Sequence, residues 1–338
     1  MCRTKFVSSQ QIQNRKPQIA NYMGLLSSIF GSGKLTENNK FEILRDDGVR
    51  AMQMGEFQYA EKCFTAALEL QSDLKTTGFL AEVYLHMQNY NAALPLLEKL
   101  VNSEANTYEL SLLLAQTQGE LLLFADERNT CRDLLNKQTN EPRALYLAAE
   151  ADHGLDDNLT AIVHLTQCLS AEPNFLRAMQ LRANILSDMG QWKEACDDAD
   201  ALVEKQPENE EYLLLQANCQ QALGNHDDAI NTLEKVRALN PFSQEAVIKL
   251  GAIYETTTRW DKALALYDEA IELQPDFALA YKARGGVKHH LKDDAGAAAD
   301  LKRMLELAPE KASELEGTYT NVENEMQKYY RNMNPYGF

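Results

Sequence analysis

The sequence predicts an all-α solenoid built from antiparallel helix pairs. Two observations carry that reading. Pro173, Pro207, Pro241, Pro275 and Pro309 follow one another at steps of 34 residues, and a fixed period of this length marks a repeat array. Within each period a Gly or Ala recurs at two places twelve residues apart, as in Ala183/Ala195, Ala217/Ala229, Gly251/Ala263 and Gly285/Ala297.

Each residue type has a physical reason. Two helices cross closely only where side chains are small, which accounts for Gly or Ala at the eighth and twentieth places. Large residues at the fourth, seventh, eleventh and twenty-fourth places stand three or four apart along a helix and fill the groove between neighbours. Proline at the end of a period pushes the residue before it out of helical angles and stops the second helix. No single pair buries its apolar face alone, so stability is a sum of terms between stacked neighbours.

Residues 1–40 lack helical periodicity, are rich in Gln, Ser, Asn and Gly, and read as a disordered basic tail. One apolar piece, Met23 to Phe30, interrupts it. It reads either as an apolar tether packed loosely on the first repeat or as the region of an alternative start at Met23, in which case Gly24 and Ser28 fit a myristoylation pattern. The array runs over 41–309 as about eight repeats. Gly48, Gly55, Phe57, Ala60, Phe64 and Ala67 place the first; Ala81, Tyr84, Tyr90, Ala93, Leu97 and Leu100 the second. In the third, about Tyr108 to Glu141, Ala115 survives but no small residue stands at the second crossing, so this repeat is degenerate and its second helix is open to displacement. Ala149, Ala161, Leu165 and Cys168 restore the pattern in the fourth, and Trp192, Leu233, Trp260, Tyr267 and Met304 continue it. Beyond Pro309, Leu315, Tyr319, Val322, Met326 and Tyr330 form one apolar stripe, expected as a capping helix over 310–332, followed by a tail at 333–338.

Composition excludes several function classes. The 338 residues are 45% hydrophobic and 25% charged, with net charge −17, ordinary for a folded chain. Residues 1–40 hold six Lys/Arg and one Asp/Glu, leaving −22 on the remainder. A body that acidic repels nucleic acid and anionic lipid. The six cysteines, Cys2, Cys63, Cys131, Cys168, Cys196 and Cys219, show no metal or disulfide spacing. Five fall in predicted helices, where a free thiol behaves as a small hydrophobe. No apolar run reaches membrane-spanning length, and the N-terminus lacks the apolar core of a secretory signal. A cytoplasmic setting is expected.

The chain resembles the tetratricopeptide-repeat (TPR) family over residues 41–309, roughly four fifths of its length. The stretch Phe242 to Pro275 carries the resemblance most fully, with Leu250, Gly251, Tyr254, Trp260, Ala263, Tyr267, Ala270 and Pro275 in the family's places. The resemblance implies a right-handed superhelix and a non-enzymatic adaptor that holds a peptide or helical segment in a concave groove lined by first helices. Carried over by place, the groove is lined by Tyr146, Glu150, His153, Asn184, Asp188, Asn218, Gln221, Glu255, Lys282 and His289, with Arg45, Gln53 and Glu82 extending it. Asn184 and Asn218 stand where many members use Asn to hold a ligand backbone. The clamp by which one subgroup grips chaperone C-terminal tails is not matched: Gln180 and Leu214 stand where its lysines would be, and Val49 replaces its first Asn. Without those cations a carboxylate lacks its charge-assisted bonds. The expected partner is therefore another protein or peptide, and not a chaperone tail. A structural or self-associating subunit using the convex face is the alternative.

Motifs for phosphate loops, zinc proteases and serine hydrolases are absent from the sequence, so no cofactor, metal or catalytic residue is expected. His289 and His290 point about 100° apart on a helix and do not readily share a metal. The pairs Asp46-Asp47, Asp156-Asp157, Asp197-Asp198, Asp227-Asp228 and Asp293-Asp294 are expected near helix starts or turns, where carboxylates favour the N-terminal dipole.

Overall fold

A computed structural model describes residues 36–309. It contains sixteen α-helices and no strand among the described residues. The chain divides into two compact units between Leu121 and Leu122, inside the third repeat.

The first unit holds α1 (Glu37–Gln53), α2 (Phe57–Leu70), α3 (Leu74–His86), α4 (Tyr90–Val101) and α5 (Tyr108–Glu120). Helix α1 begins four residues before the expected start of the array, because Thr36 caps it: its hydroxyl accepts from the Asn39 N–H at 3.3 Å. Consecutive helices pack against each other, and α1 also touches α3. Phe64 is fully buried in this unit, and a Cβ on Gly48 would sit 2.5 Å from its ring. The first crossing thus requires glycine.

The second unit holds α6 (Phe124–Lys137), α7 (Pro142–Gly154), α8 (Asn158–Ala171), α9 (Leu176–Asp188), α10 (Trp192–Lys205) and α11 (Glu210–Ala222). It continues with α12 (His226–Leu239), α13 (Gln244–Thr256), α14 (Trp260–Leu273), α15 (Ala278–His290) and α16 (Asp294–Leu307). Each helix packs on the next, and the first helices of neighbouring repeats meet at α7/α9, α9/α11 and α13/α15. The small residues at the crossings are buried: Ala149, Ala161, Ala183, Ala195, Ala229, Ala263 and Ala297 are all fully excluded from solvent. In α6 the twentieth place carries Glu127, which is fully buried too. This is the degenerate position expected from the sequence.

The turns between paired helices share one backbone conformation. The fifteenth residue of each repeat has a positive φ: Gly55, Gly190 and Gly224, but also Gln88, Leu122, Asp156, Thr258 and Lys292. In the seventh repeat the Thr258 N–H returns to the Glu255 carbonyl and the Arg259 N–H to that of Tyr254, at 2.7 Å. This is the left-handed closure that satisfies a helix's last carbonyls. The prolines at 34-residue steps each stand two residues past a second helix, from Pro173 after Ala171 to Pro309 after Leu307.

The paired aspartates divide into two groups. Asp157 and Asp293 cap α8 and α16 by accepting from the Thr160 and Gly296 N–H groups, and Asp227-Asp228 lie in the first turn of α12. Asp46-Asp47 and Asp197-Asp198 instead lie inside helices, contrary to the expectation. Asp198 is buried because it receives two bonds from Arg182, at 2.8 and 2.7 Å. The expected capping helix over 310–332 and nearly all of the N-terminal tail lie outside the described residues.

Candidate functional site

Two surfaces involving first helices are the candidate sites, one in each unit. In the first unit, α3 and α5 both border α4 without packing on each other. The opening is a cavity of about 570 Å³. Its floor is Leu97 and Leu100 of α4, its walls are Phe79 and Leu85 of α3 with Leu110 and Leu113 of α5, and Gly78 leaves the entrance unobstructed. Lys75, Glu82 and His86 give it a polar rim. Such an apolar hollow with a few convergent polar groups suits one large side chain of a bound segment. Of these residues only Glu82 was expected from the sequence. Leu110 and Leu113 have the spacing of core residues, and only the gap between two helices exposes them; Leu113 is 38% exposed.

In the second unit the ten expected residues lie on α7, α9, α11, α13 and α15, but they are not equivalent. Several already have intramolecular partners. His153 Nδ1 lies 2.7 Å from Asn158 Oδ1, and His289 Nδ1 lies 2.7 Å from Asp294 Oδ1, so each ring ties a first helix to the start of the second. Glu255 accepts a 2.7 Å bond from the Tyr267 hydroxyl, and burial raises its carboxyl above the usual range although that bond opposes the shift. The Tyr146 ring lies 5.3 Å from that of Phe175. Glu150 and Lys282 are half-buried on α7 and α15.

The remaining four form a patch. Asn184 and Asp188 are one turn apart on α9, and Asn218 and Gln221 are one turn apart on α11, which packs on α9. None of the four side chains makes a hydrogen bond or ion pair among the described residues. Asn184 and Asp188 are exposed, and Asn218 and Gln221 half-buried. Three amides and one carboxylate supply both donors and acceptors, the complement of an exposed peptide backbone.

Comparison with known proteins gives the same architecture. A family profile for the N-terminal TPR repeats of Psidin matches residues 184–280, and a general tetratricopeptide-repeat profile matches residues 249–312. The C-terminal part of a TPR repeat-containing protein from Cytophaga hutchinsonii superposes with a TM-score of 0.60, covering 70% of this chain and 96% of that one at 14% identity.

Over residues 184–312 the chain is a tetratricopeptide-repeat protein.

Among curated relatives, this TPR protein is similar to Protein O-mannosyl-transferase TMTC1 of mouse, 28% identical over 146 residues, or 42% of this chain. It is 30% identical to the human form over 132 residues, or 38% of this chain. The match covers only 16% and 15% of those relatives. No helix among the described residues is long and apolar enough to cross a membrane. A TPR array is a protein-interaction scaffold in architecture, since its stacked repeats present extended surfaces to a partner.

Proposed function

We propose that this TPR protein is a non-enzymatic, cytoplasmic adaptor that holds an extended or helical segment of a partner against its first helices. The observation that carries the reading is the set of Asn184, Asp188, Asn218 and Gln221, four polar side chains on two first helices that pack on each other, with no side-chain bond among the described residues. An extended segment laid across α9 and α11 exchanges its backbone bonds to water for bonds to these amides. The apolar cavity of the first unit supports the same function with a different chemistry, by accepting a large side chain. The TMTC1 relatives are named as transferases, but they share with this chain only a short portion of their length.

The test is a pull-down from native lysate with wild type, with Asn184→Ala/Asp188→Ala/Asn218→Ala, and with Leu113→Asp. Circular dichroism checks that each variant keeps its helices. Loss of a wild-type partner from the triple variant supports recognition by the patch. Full retention by both variants sinks the reading.

A second reading is favoured by Leu155, Leu159 and Val163. Leu155 is the C-cap of α7, Leu159 and Val163 stand four apart in the first turns of α8, and the three are 39%, 68% and 53% exposed. An apolar stripe on a second helix suits self-association. A mass that rises with concentration in light scattering, and falls in Val163→Lys, would support it.

A further inference from the structure

The second unit has another opening, on its second helices. Helices α6 and α8 both pack on α7 but not on each other. Between them lies a cavity of about 570 Å³ whose floor is Leu145 and Ala148 of α7. We propose that this cleft is a separate binding site for an acidic segment of a protein partner: a carboxylate seats on Arg132, and a neighbouring apolar side chain rests on Leu135.

The charge arrangement carries the argument. Beneath the cleft, Asp152 is almost fully buried, with Oδ2 2.8 Å from His164 Nδ1 and Oδ1 2.9 Å from Arg128 Nε. Arg128 also donates from Nη2 to Asp157 at 2.9 Å. Both carboxylates are therefore engaged by one guanidinium, whose charge they compensate. Arg132, one turn further along α6, is different. Its one side-chain bond among the described residues donates to the neutral Asn129 Oδ1 at 3.0 Å, and no carboxylate faces it as an ion-pair partner.

An uncompensated guanidinium is notable in a chain of net charge −17. Its planar fork fits a carboxylate with two parallel bonds. Asn136 of α6 and Gln167 of α8 line the same mouth from opposite sides, and their amides can donate to the same anion. The apolar floor gives the cleft a second requirement that a free inorganic anion does not meet. Arg132, Asn136 and Gln167 lie on second helices, so the polar mouth of the cleft is distinct from the first-helix patch of the proposed adaptor face.

The probe is a fluorescein-labelled hexapeptide of alternating leucine and glutamate, titrated with the full chain and followed by anisotropy. Its leucine–glutamine counterpart serves as the neutral control. The acidic peptide is expected to bind and the neutral one to bind about tenfold more weakly or not at all, the scale of one charge-assisted pair. Arg132→Glu should weaken binding by at least about tenfold, Arg132→Lys by less, and Asn184→Ala not at all. Arg132 is exposed, so these variants keep the fold, which circular dichroism verifies. Equal binding of the two peptides, no binding of the acidic one, or unchanged binding to Arg132→Glu would overturn the proposal. Loss of binding in Asn184→Ala would move the peptide to the first-helix patch and overturn it too. Inorganic phosphate that displaces the peptide at equal concentration would make the cleft a simple anion site, against the peptide assignment.

Discussion

Gly251 and Tyr267 occupy one space: a Cβ on Gly251 would lie 2.0 Å from the Tyr267 hydroxyl oxygen and 2.3 Å from the ring carbon that bears it. Tyr267 is only 1% exposed, and its hydroxyl is held by Glu255, so it cannot swing aside. Gly251→Ala is expected to cost roughly 1–3 kcal/mol by overpacking. Tyr267→Leu in the same chain should recover part of that loss, because the two sites share one volume and their effects are not additive. Urea melts of both single variants and the double variant measure the coupling. A stable Gly251→Ala would contradict the packing.

Arg284 of α15 is gripped from two second helices. It donates from Nη1 to Asp268 at 2.7 Å and from Nη2 and Nε to Asp300 at 2.6 and 2.8 Å. Asp300 is 4% exposed and keeps only Lys288, at 2.8 Å, if the guanidinium is removed. Arg284→Met is expected to destabilise by about 3 kcal/mol, the low end for a broken buried pair, since one cation remains. Asp300→Asn on that background should recover stability by removing the stranded charge. Thermal melts of the single and double variants decide it.

The fold was legible because its markers are backbone requirements. A helix crossing admits only a small residue wherever it occurs, so Ala183 and Ala195 announce themselves without any partner being known. The exception is Glu127, which stands at the place where the other repeats carry a small residue, in the repeat where the chain divides. The site was legible only by place. Asn184 and Asn218 stand where spacing put them, but His153 and His289 are tied to residues five positions on. That tie depends on a left-handed turn at Asp156 and Lys292, which neither residue type advertises. Gly55, Gly190 and Gly224 in the matching turns were the available signal. The cleft beside Arg132 had none, because the compensation of Asp152 by Arg128 joins residues 24 apart in the chain.

Glu255 makes stability depend on pH. Burial raises its carboxyl above the ordinary glutamate range in the folded state. The folded protein then binds a proton more tightly than the unfolded chain over the window just above that range. Its contribution is full below the unfolded pKa and is lost as pH rises through the folded one. Wild type should therefore gain stability relative to Glu255→Gln as pH falls through this window. Denaturant midpoints of the two proteins, measured from neutral pH downwards, give the difference. A constant difference would refute the assignment.

The thiols should be sluggish. Burial, with the charges of Asp200 and Asp197 added, pushes Cys196 up to about 11, and burial pushes Cys168 up to about 12. At pH 8 both are overwhelmingly protonated, and the thiolate is the reacting form. Ellman's reagent should modify them far more slowly in the folded protein than in urea. Mass spectrometry of the labelled peptides identifies which cysteine reacted. Rapid labelling of folded Cys168 would be the contrary result.

The left-handed residue that closes each hairpin has a consequence for how such a chain diverges. Five of these eight turns carry a side chain at a φ that glycine occupies freely, and Thr258 is β-branched, the least suited of them. Each such residue costs roughly 1–2 kcal/mol against glycine before glycine's own entropy is counted. The turns lie outside the helix faces that carry the Asn184 and Arg132 surfaces. Substitutions there can therefore raise or lower the durability of single repeats through a lineage while the recognition surfaces remain unaltered. Selection on robustness and selection on partner choice act on separate residues of the same 34-residue unit.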